Sequence, residues 1–238
     1  MWDTVLFDLD GTLLDYSAAC RSALDESLSE LGLEASGSIR EDLLAFLGSG
    51  PVQAIEACRP GAPATSDPSL RSIFPLRGST ECSVFLDAFF KALSRQHGLI
   101  DGAVETLEAV RPGRRLAAVS NGLGPVQRMR LMNAGLMQYF DALVISCEIG
   151  VAKPDPAIFD AALKLLSASK ESAVMVGDGA ASDMAGAEAA GIGFVYFRPD
   201  GVFAPSGRWI ARITDLRELP DLPGFREQQP ALPAREGT

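Results

Sequence analysis

Residues 5–13 read VLFDLDGTL, and this stretch decides the fold of the chain. An apolar run of this length, ended by a Gly-Thr pair, predicts a buried β-strand followed by a turn. Asp8 and Asp10 are two positions apart, and strand residues at that spacing face the same side. Because a buried carboxylate pair is costly without a compensating cation, the stretch predicts two converging carboxylates and a partner of opposite charge.

The composition argues against several classes of protein. The 238 residues carry a formal net charge of -10, which disfavours nonspecific binding to nucleic acid or anionic membranes. We find no apolar run of about 18 residues and no signal-peptide pattern, so we expect neither a membrane span nor secretion. Four scattered cysteines without a C-x-x-C pair indicate free thiols in a reducing cytoplasm. The only histidine, His97, lies at a predicted helix end, which disfavours a histidine base.

Beyond residue 99, apolar runs alternate with segments of helical periodicity. The strand-like runs occupy residues 116–119, 142–145, 173–176 and 193–197. This alternation predicts an α/β fold in which helices cover both faces of a doubly wound parallel sheet. We therefore assign residues 1–16 and 99–219 to a Rossmann-like core.

The rest of the chain has a different character. Residues 17–98 carry apolar residues at helical spacing, which predicts a mainly α-helical insertion between the first strand and the rest of the core. Residues 220–238 contain four prolines in a polar stretch without apolar periodicity. We expect this C-terminal tail to be extended or disordered.

Polar residues follow four of the predicted strands. They are Asp8 and Asp10 after the first, Ser120 and Asn121 after the second, Lys153 beyond the third, and Asp178 and Asp183 after the fourth. In open α/β sheets, ligands bind outside the carboxyl ends of the strands. We therefore expect one crevice to hold all seven side chains.

The charges of this crevice indicate a divalent cation and a phosphate. Four carboxylates face one lysine, and like charges about 4 Å apart repel by about 4 kcal/mol at an intermediate dielectric. Carboxylates and a backbone carbonyl are ligands that suit Mg²⁺. Hydroxyl, amide and ammonium donors suit a phosphate. One carboxylate can attack phosphorus while another moves the proton.

These motifs resemble those of the haloacid dehalogenase (HAD) superfamily, specifically its subfamily I phosphatases, which carry a helical cap. The motif D-x-D-G-T matches residues 8–12, the Ser or Thr after the second strand matches Ser120, the lysine matches Lys153, and G-D-x-x-x-x-D matches residues 177–183. The matches follow the order of the family and extend over the whole core. The resemblance implies that residues 17–98 are the cap, which closes over the site and selects the substrate.

The resemblance also implies a role for each matching residue. Asp8 would be the nucleophile and a Mg²⁺ ligand, and Asp10 would be the general acid and base, with its backbone carbonyl as a second ligand. Asp178 would be the third protein ligand, and Asp183 would orient metal-bound water or the lysine. Ser120, Asn121 and Lys153 would hold the phosphoryl group.

A finer resemblance connects the core with 5'-nucleotidases that act on pyrimidine nucleotides. It includes Gln127, Arg130 and residues 148–154. A nucleoside 5'-monophosphate is therefore the first candidate substrate. The sequence departs from the family at residues 179–181, which read GAA where a Ser or Thr often follows the aspartate.

The motifs leave other functions to be weighed. They are a phosphoglycolate or sugar-phosphate phosphatase, a β-phosphoglucomutase-like phosphotransferase, a 2-haloacid dehalogenase and a noncatalytic HAD-fold binding protein. Asp10 argues against the dehalogenase, because such enzymes lack a carboxylate there, and the complete carboxylate set argues against the binding protein. We expect a cytoplasmic monomer or homodimer that acts on a small phosphomonoester and binds neither nucleic-acid polymers nor membranes.

Overall fold

A parallel β-sheet forms the centre of the computed structural model, which describes residues 1–48, 79–204 and 206–226. Its strands are β1 (Thr4–Phe7), β2 (Arg115–Ser120), β3 (Ala142–Ile145), β4 (Ala173–Gly177), β5 (Gly193–Phe197) and β6 (Ala211–Ile213). Within the described residues their order is β3-β2-β1-β4-β5-β6, and every pairing is parallel. The chain extends the sheet first on one side of β1 and then on the other, which places a topological switch point beside β1.

Helices cover both faces of the sheet, as the alternating pattern predicts. They are α4 (Ala103–Val110), α5 (Gly124–Asn133), α6 (Ser146–Ile149), α7 (Pro156–Leu166) and α8 (Ala185–Ala190). Along β1, Val5 and Phe7 join the apolar cluster on one face, whereas Leu6 joins the cluster on the other. This alternation follows from the two-residue period of a strand and confirms the doubly wound α/β fold.

Three helices precede this alternating region and pack on one another. They are α1 (Tyr16–Glu30), α2 (Gly37–Gly48) and α3 (Ser79–Arg95). Leu24, Leu43, Phe85 and Phe89 belong to their common apolar cluster, which is separate from the two clusters of the sheet. The predicted cap thus contains helices, while its residues 49–78 lie outside the described part of the chain. The limits 17–98 stay a prediction.

The first part of the predicted tail differs from the expectation. A 3₁₀ helix, Leu216–Asp221, includes the first two residues of the predicted tail, and Phe225 beyond it is buried against the core. Arg114 Nη2 donates to the Phe225 carbonyl at 2.5 Å, and the guanidinium lies over the phenyl ring. Burial of Phe225 and its contacts with Arg114 thus hold a segment that lacks apolar periodicity against the core. Residues 227–238 lie outside the described residues.

Two further expectations concern membranes and cysteines. No helix in the described parts of the chain is long and apolar enough to cross a bilayer. Cys20 and Cys82 are buried free thiols, as expected. Cys147 is disulfide-bonded, so the expectation of a free thiol is wrong at that position. Cys58 lies outside the described residues.

Candidate active site

The carboxyl ends of neighbouring strands bring the predicted site residues together. Phe7 at the end of β1 lies opposite Ala118 of β2 and Val176 of β4, so the residues that follow these strands are at the same level. Asp8 continues this alignment, because its backbone N–H donates to the Val176 carbonyl at 2.9 Å. The site therefore lies at the switch point of the sheet, where α/β proteins bind ligands.

An acidic cluster forms at this point. Asp8, Asp178 and Asp183 each offer a carboxylate oxygen, and these atoms all lie within 4.8 Å of one another. Burial, followed by the charge of Asp183, raises the pKa of Asp8 well above its usual range. The same causes raise the pKa of Asp178 to about 6. The folded chain thus holds these carboxylates in a setting that disfavours their charged forms unless cations are added.

Lys153 lies inside the acidic cluster and supplies one such cation. Its buried Nζ is 2.5 Å from Asp8 Oδ1 and 2.7 Å from Asp183 Oδ1, and it donates to the Val119 carbonyl at 2.9 Å. Burial lowers the pKa of Lys153, but Asp183 and Asp8 outweigh that effect and raise the pKa above its ordinary value. One ammonium among three carboxylates leaves a surplus of negative charge, and an all-oxygen donor set with that surplus fits a divalent cation such as Mg²⁺.

The Asp10 carboxylate has different partners from the Asp8 carboxylate, so the predicted partner charge is supplied by two residues, Arg130 for Asp10 and Lys153 for Asp8. Gln127 Nε2 donates to Asp10 Oδ2 at 2.5 Å, and Arg130 forms an ion pair with Asp10 Oδ1. The two-residue period of a strand does not apply here, because β1 ends at Phe7. The two carboxylates of the opening motif are thus positioned independently.

The Gly-Thr turn of the opening motif is shaped around Asp178. Gly11 has a φ of +86°, a left-handed conformation that favours glycine, and a Cβ there would lie 2.5 Å from Asp178 Oδ2. Thr12 Oγ1 lies 3.4 Å from both Asp8 Oδ2 and Asp178 Oδ1. The turn therefore allows the carboxylates that follow β1 and β4 to approach each other.

The three residues predicted to hold phosphate are used in different ways. Ser120 is buried, and its Oγ accepts from Gln127 Nε2 at 2.8 Å, which leaves its own proton to be donated elsewhere. The Asn121 side chain binds the backbone of Lys153. Its Oδ1 accepts from the backbone N–H of Lys153 at 2.8 Å, and its Nδ2 donates to the Lys153 carbonyl at 2.9 Å.

A backbone hydrogen bond holds Asp183, although residues 179–181 lack the Ser or Thr that often follows the aspartate in the family. Its carboxylate is buried, and Oδ2 accepts from the Gly179 N–H at 2.9 Å. It lies in a single π-helical turn, Ala180–Met184, of the kind that occurs at functional sites. The backbone N–H of Gly179, together with Lys153, thus supports Asp183 without a side-chain hydroxyl at position 179.

Gly177 provides the space that Asp183 occupies, and this gives a test of the site's packing. A Cβ at position 177 would lie 2.6 Å from Asp183 Cγ. We expect Gly177→Ala to lower the free energy of unfolding by about 1–3 kcal/mol, because the buried carboxylate must move. Gly37→Ala is the matched control, since its Cβ would meet nothing within 4 Å. Urea denaturation of both variants checks this, and an equal, small effect would contradict it.

Two residues that contact the site have no role in the expectations above. Gln127 and Arg130 lie one turn apart on α5, and both are buried. They stand within the stretch that resembles nucleotidases, but their helix is predicted from its periodicity alone. One sequence signal could have identified them: two polar residues at i and i+3 lie on the buried face of a core helix. Burying such side chains is costly unless they have hydrogen-bond or ionic partners.

The sequence of the chain is similar to those of known hydrolases. The family model for haloacid dehalogenase-like hydrolases matches residues 2–191, and the chain belongs to this family. It is 30% identical to the pyrimidine 5'-nucleotidase YjjG of Escherichia coli (strain K12), over 93% of this chain and 97% of that protein. It is 28% identical to the pyrimidine 5'-nucleotidase PynA of Streptococcus pneumoniae, over 82% of this chain and 83% of that protein.

A solved structure shows the same fold. The HAD-hydrolase YfnB from Bacillus subtilis, described as bound to magnesium, matches with a TM-score of 0.79 and 24% sequence identity. The match covers 92% of this chain and 97% of that chain. The chain thus has the HAD fold.

Proposed function

We propose that the chain is a Mg²⁺-dependent phosphomonoesterase that works through an aspartyl phosphate on Asp8. The observation that carries the proposal is the buried Asp8 carboxylate, 2.5 Å from Lys153 Nζ, within an acidic cluster at the switch point. A carboxylate that is ionised and held against a cation can act as a nucleophile towards phosphorus. The Lys153 ammonium favours the ionised state of Asp8, and bound Mg²⁺ would favour it further. The ammonium is also close enough to bind the incoming phosphate.

The proposed reaction has two steps. An Asp8 oxygen forms a bond to phosphorus while the bond from phosphorus to the leaving oxygen breaks, and Asp10 gives a proton to that oxygen. Asp10 then takes a proton from water, whose oxygen attacks phosphorus and breaks the bond to Asp8, releasing inorganic phosphate. One residue thus serves as acid and then as base.

Other side chains hold the phosphoryl group and the metal. Lys153 Nζ, the Ser120 hydroxyl and the backbone N–H of Asn121 donate to the phosphoryl oxygens. The carboxylates of Asp8 and Asp178 and the backbone carbonyl of Asp10 would hold Mg²⁺, with Asp183 behind them. When bound, Mg²⁺ neutralises charge on the phosphate and orients it for attack.

We further propose a nucleoside 5'-monophosphate as the substrate, with residues 17–98 as the cap that selects it. The similarity to two pyrimidine 5'-nucleotidases supports this choice. The net charge of -10 agrees with a small-molecule substrate and disfavours binding to nucleic-acid polymers or anionic membranes. We also propose a cytoplasmic monomer or homodimer.

A phosphate-release assay tests both parts of the proposal. We expect Mg²⁺-dependent release from a panel of pyrimidine and purine monophosphates, phosphoglycolate and sugar phosphates, with pyrimidine monophosphates hydrolysed fastest. Chelation with EDTA should lower the rate at least about 100-fold, and added Mg²⁺ should restore it. No release from any ester, or release that chelation leaves unchanged, would overturn the phosphatase. Faster hydrolysis of phosphoglycolate or a sugar phosphate would overturn only the substrate.

A further inference from the structure

A buried guanidinium that the proposed chemistry leaves without a role holds the Asp10 carboxylate. The side chain of Arg130 is 0% exposed and forms an ion pair with Asp10 Oδ1, whereas the Asp10 side chain is 21% exposed. Burying a charge costs several kcal/mol unless it is paired. The pairing therefore fixes one oxygen of Asp10 from the buried side, while the carboxylate stays partly exposed.

Gln127 fixes the other oxygen of the same carboxylate. Its Nε2 donates to Asp10 Oδ2 at 2.5 Å and to Ser120 Oγ at 2.8 Å, and its Oε1 accepts from Arg130 Nη1 at 3.1 Å. Each carboxylate oxygen thus has its own partner from α5, and the two partners are bonded to each other. This bracket, defined as Gln127 and Arg130, leaves Asp10 one orientation.

Arg130 also contacts both chain segments that connect the core to the helical region. Its Nε donates to the carbonyl of Gln96, just after α3, at 3.2 Å. Its Cζ lies 5.7 Å from the centre of the Tyr16 ring, at the start of α1. The Tyr16 hydroxyl in turn donates to the Leu47 carbonyl at 3.1 Å. The bracket is therefore anchored at the place where the two regions join.

We propose that Arg130 and Gln127 are positioning residues that aim the Asp10 carboxylate at the leaving oxygen of the substrate. The inference rests on the proposed phosphatase function. Proton transfer requires the protonated Asp10 carboxyl group within hydrogen-bond reach of the leaving oxygen, about 2.6–3.2 Å, so a carboxyl group that rotates freely transfers its proton less often. Esters with a poor leaving group depend on that proton, whereas aryl phosphates with a stabilised leaving anion do not.

The test compares two esters in the holoenzyme with Mg²⁺. Uridine 5'-monophosphate has a poor alkoxide leaving group, and p-nitrophenyl phosphate has a good one. We use kcat/KM because it reports phosphoryl transfer to Asp8 and not the later hydrolysis. We expect Arg130→Met and Gln127→Met to lower kcat/KM about 100-fold for the nucleotide and less than about 10-fold for the aryl ester. Arg130→Lys should recover part of the loss.

The control is Arg128→Met on the same helix. The Arg128 side chain is 43% exposed and pairs with Glu148 at 2.7 Å instead of with Asp10, so both esters should react as in the unaltered protein. If Gln127→Met lowered kcat/KM equally for the two esters, the residues would have only a structural role and the inference would be overturned. The Gln127→Met result alone tests the inference if Arg130→Met does not fold. Failure of the proposed function would look different, because the unaltered protein would hydrolyse neither ester.

Discussion

Asp8→Asn is expected to lower kcat by about 10⁴-fold or more, because an amide cannot form the aspartyl phosphate. The carboxylate lies 2.5 Å from Lys153 Nζ and beside Asp178 and Asp183, directly after β1 at the switch point of the sheet. The measurement is steady-state phosphate release with Mg²⁺, carried far enough to quantify a rate four orders of magnitude lower.

The fold of this variant should persist. Replacing one carboxylate in an acidic cluster removes like-charge repulsion, while Asp183 still pairs with Lys153 at 2.7 Å. Asp160→Asn is the matched control, because Asp160 is an exposed carboxylate that pairs with Lys170 on the surface. Circular dichroism should be unchanged in both variants. Substantial activity in Asp8→Asn, or an equal loss in the control, would rule out Asp8 as the nucleophile.

Lys153→Met is expected to have the largest effect on stability. The substitution removes the ammonium that Asp8 and Asp183 share and leaves both carboxylates buried. Loss of one partner of a buried ion pair costs about 3–5 kcal/mol in free energy of unfolding. The activity should fall about 100- to 1000-fold as well, since a donor to the phosphoryl group is lost.

Urea denaturation with Mg²⁺ and with EDTA measures this effect. Lys170→Met is the control, because exposed pairs such as Lys170–Asp160 contribute about 0–1 kcal/mol. We expect the deficit of Lys153→Met to be smaller with Mg²⁺, since a bound cation compensates part of the uncovered charge. A loss below about 1 kcal/mol under both conditions would show that the lysine does not neutralise the cluster.

The sequence allowed the sheet and the acidic cluster to be predicted because both follow from local pattern. The apolar run of β1 and the position of Asp178 directly after β4 can be recognised without knowledge of distant contacts. The outcome for Asp10 could not be predicted in this way, because the strand ends at Phe7 and the next residues turn at Gly11. Its partners come from a helix more than 100 residues further along the chain.

Two other differences have the same kind of cause. The sequence did not indicate that the Asn121 side chain accepts from and donates to the backbone of Lys153, a residue 32 positions further along the chain. Composition predicted a free tail from residue 220, but burial of Phe225 holds its first residues on the core. In each case long-range contacts outweigh the local preference.

Trapping the covalent intermediate tests the central claim most directly. The enzyme is mixed with Mg²⁺ and substrate, quenched in acid within one turnover and treated with borohydride, which reduces an acyl phosphate to an alcohol. Peptide mapping by mass spectrometry should then find homoserine in place of Asp8, and aspartate unchanged at Asp10, Asp178 and Asp183. Reduction at another carboxylate, or at none while phosphate is released, would contradict the account.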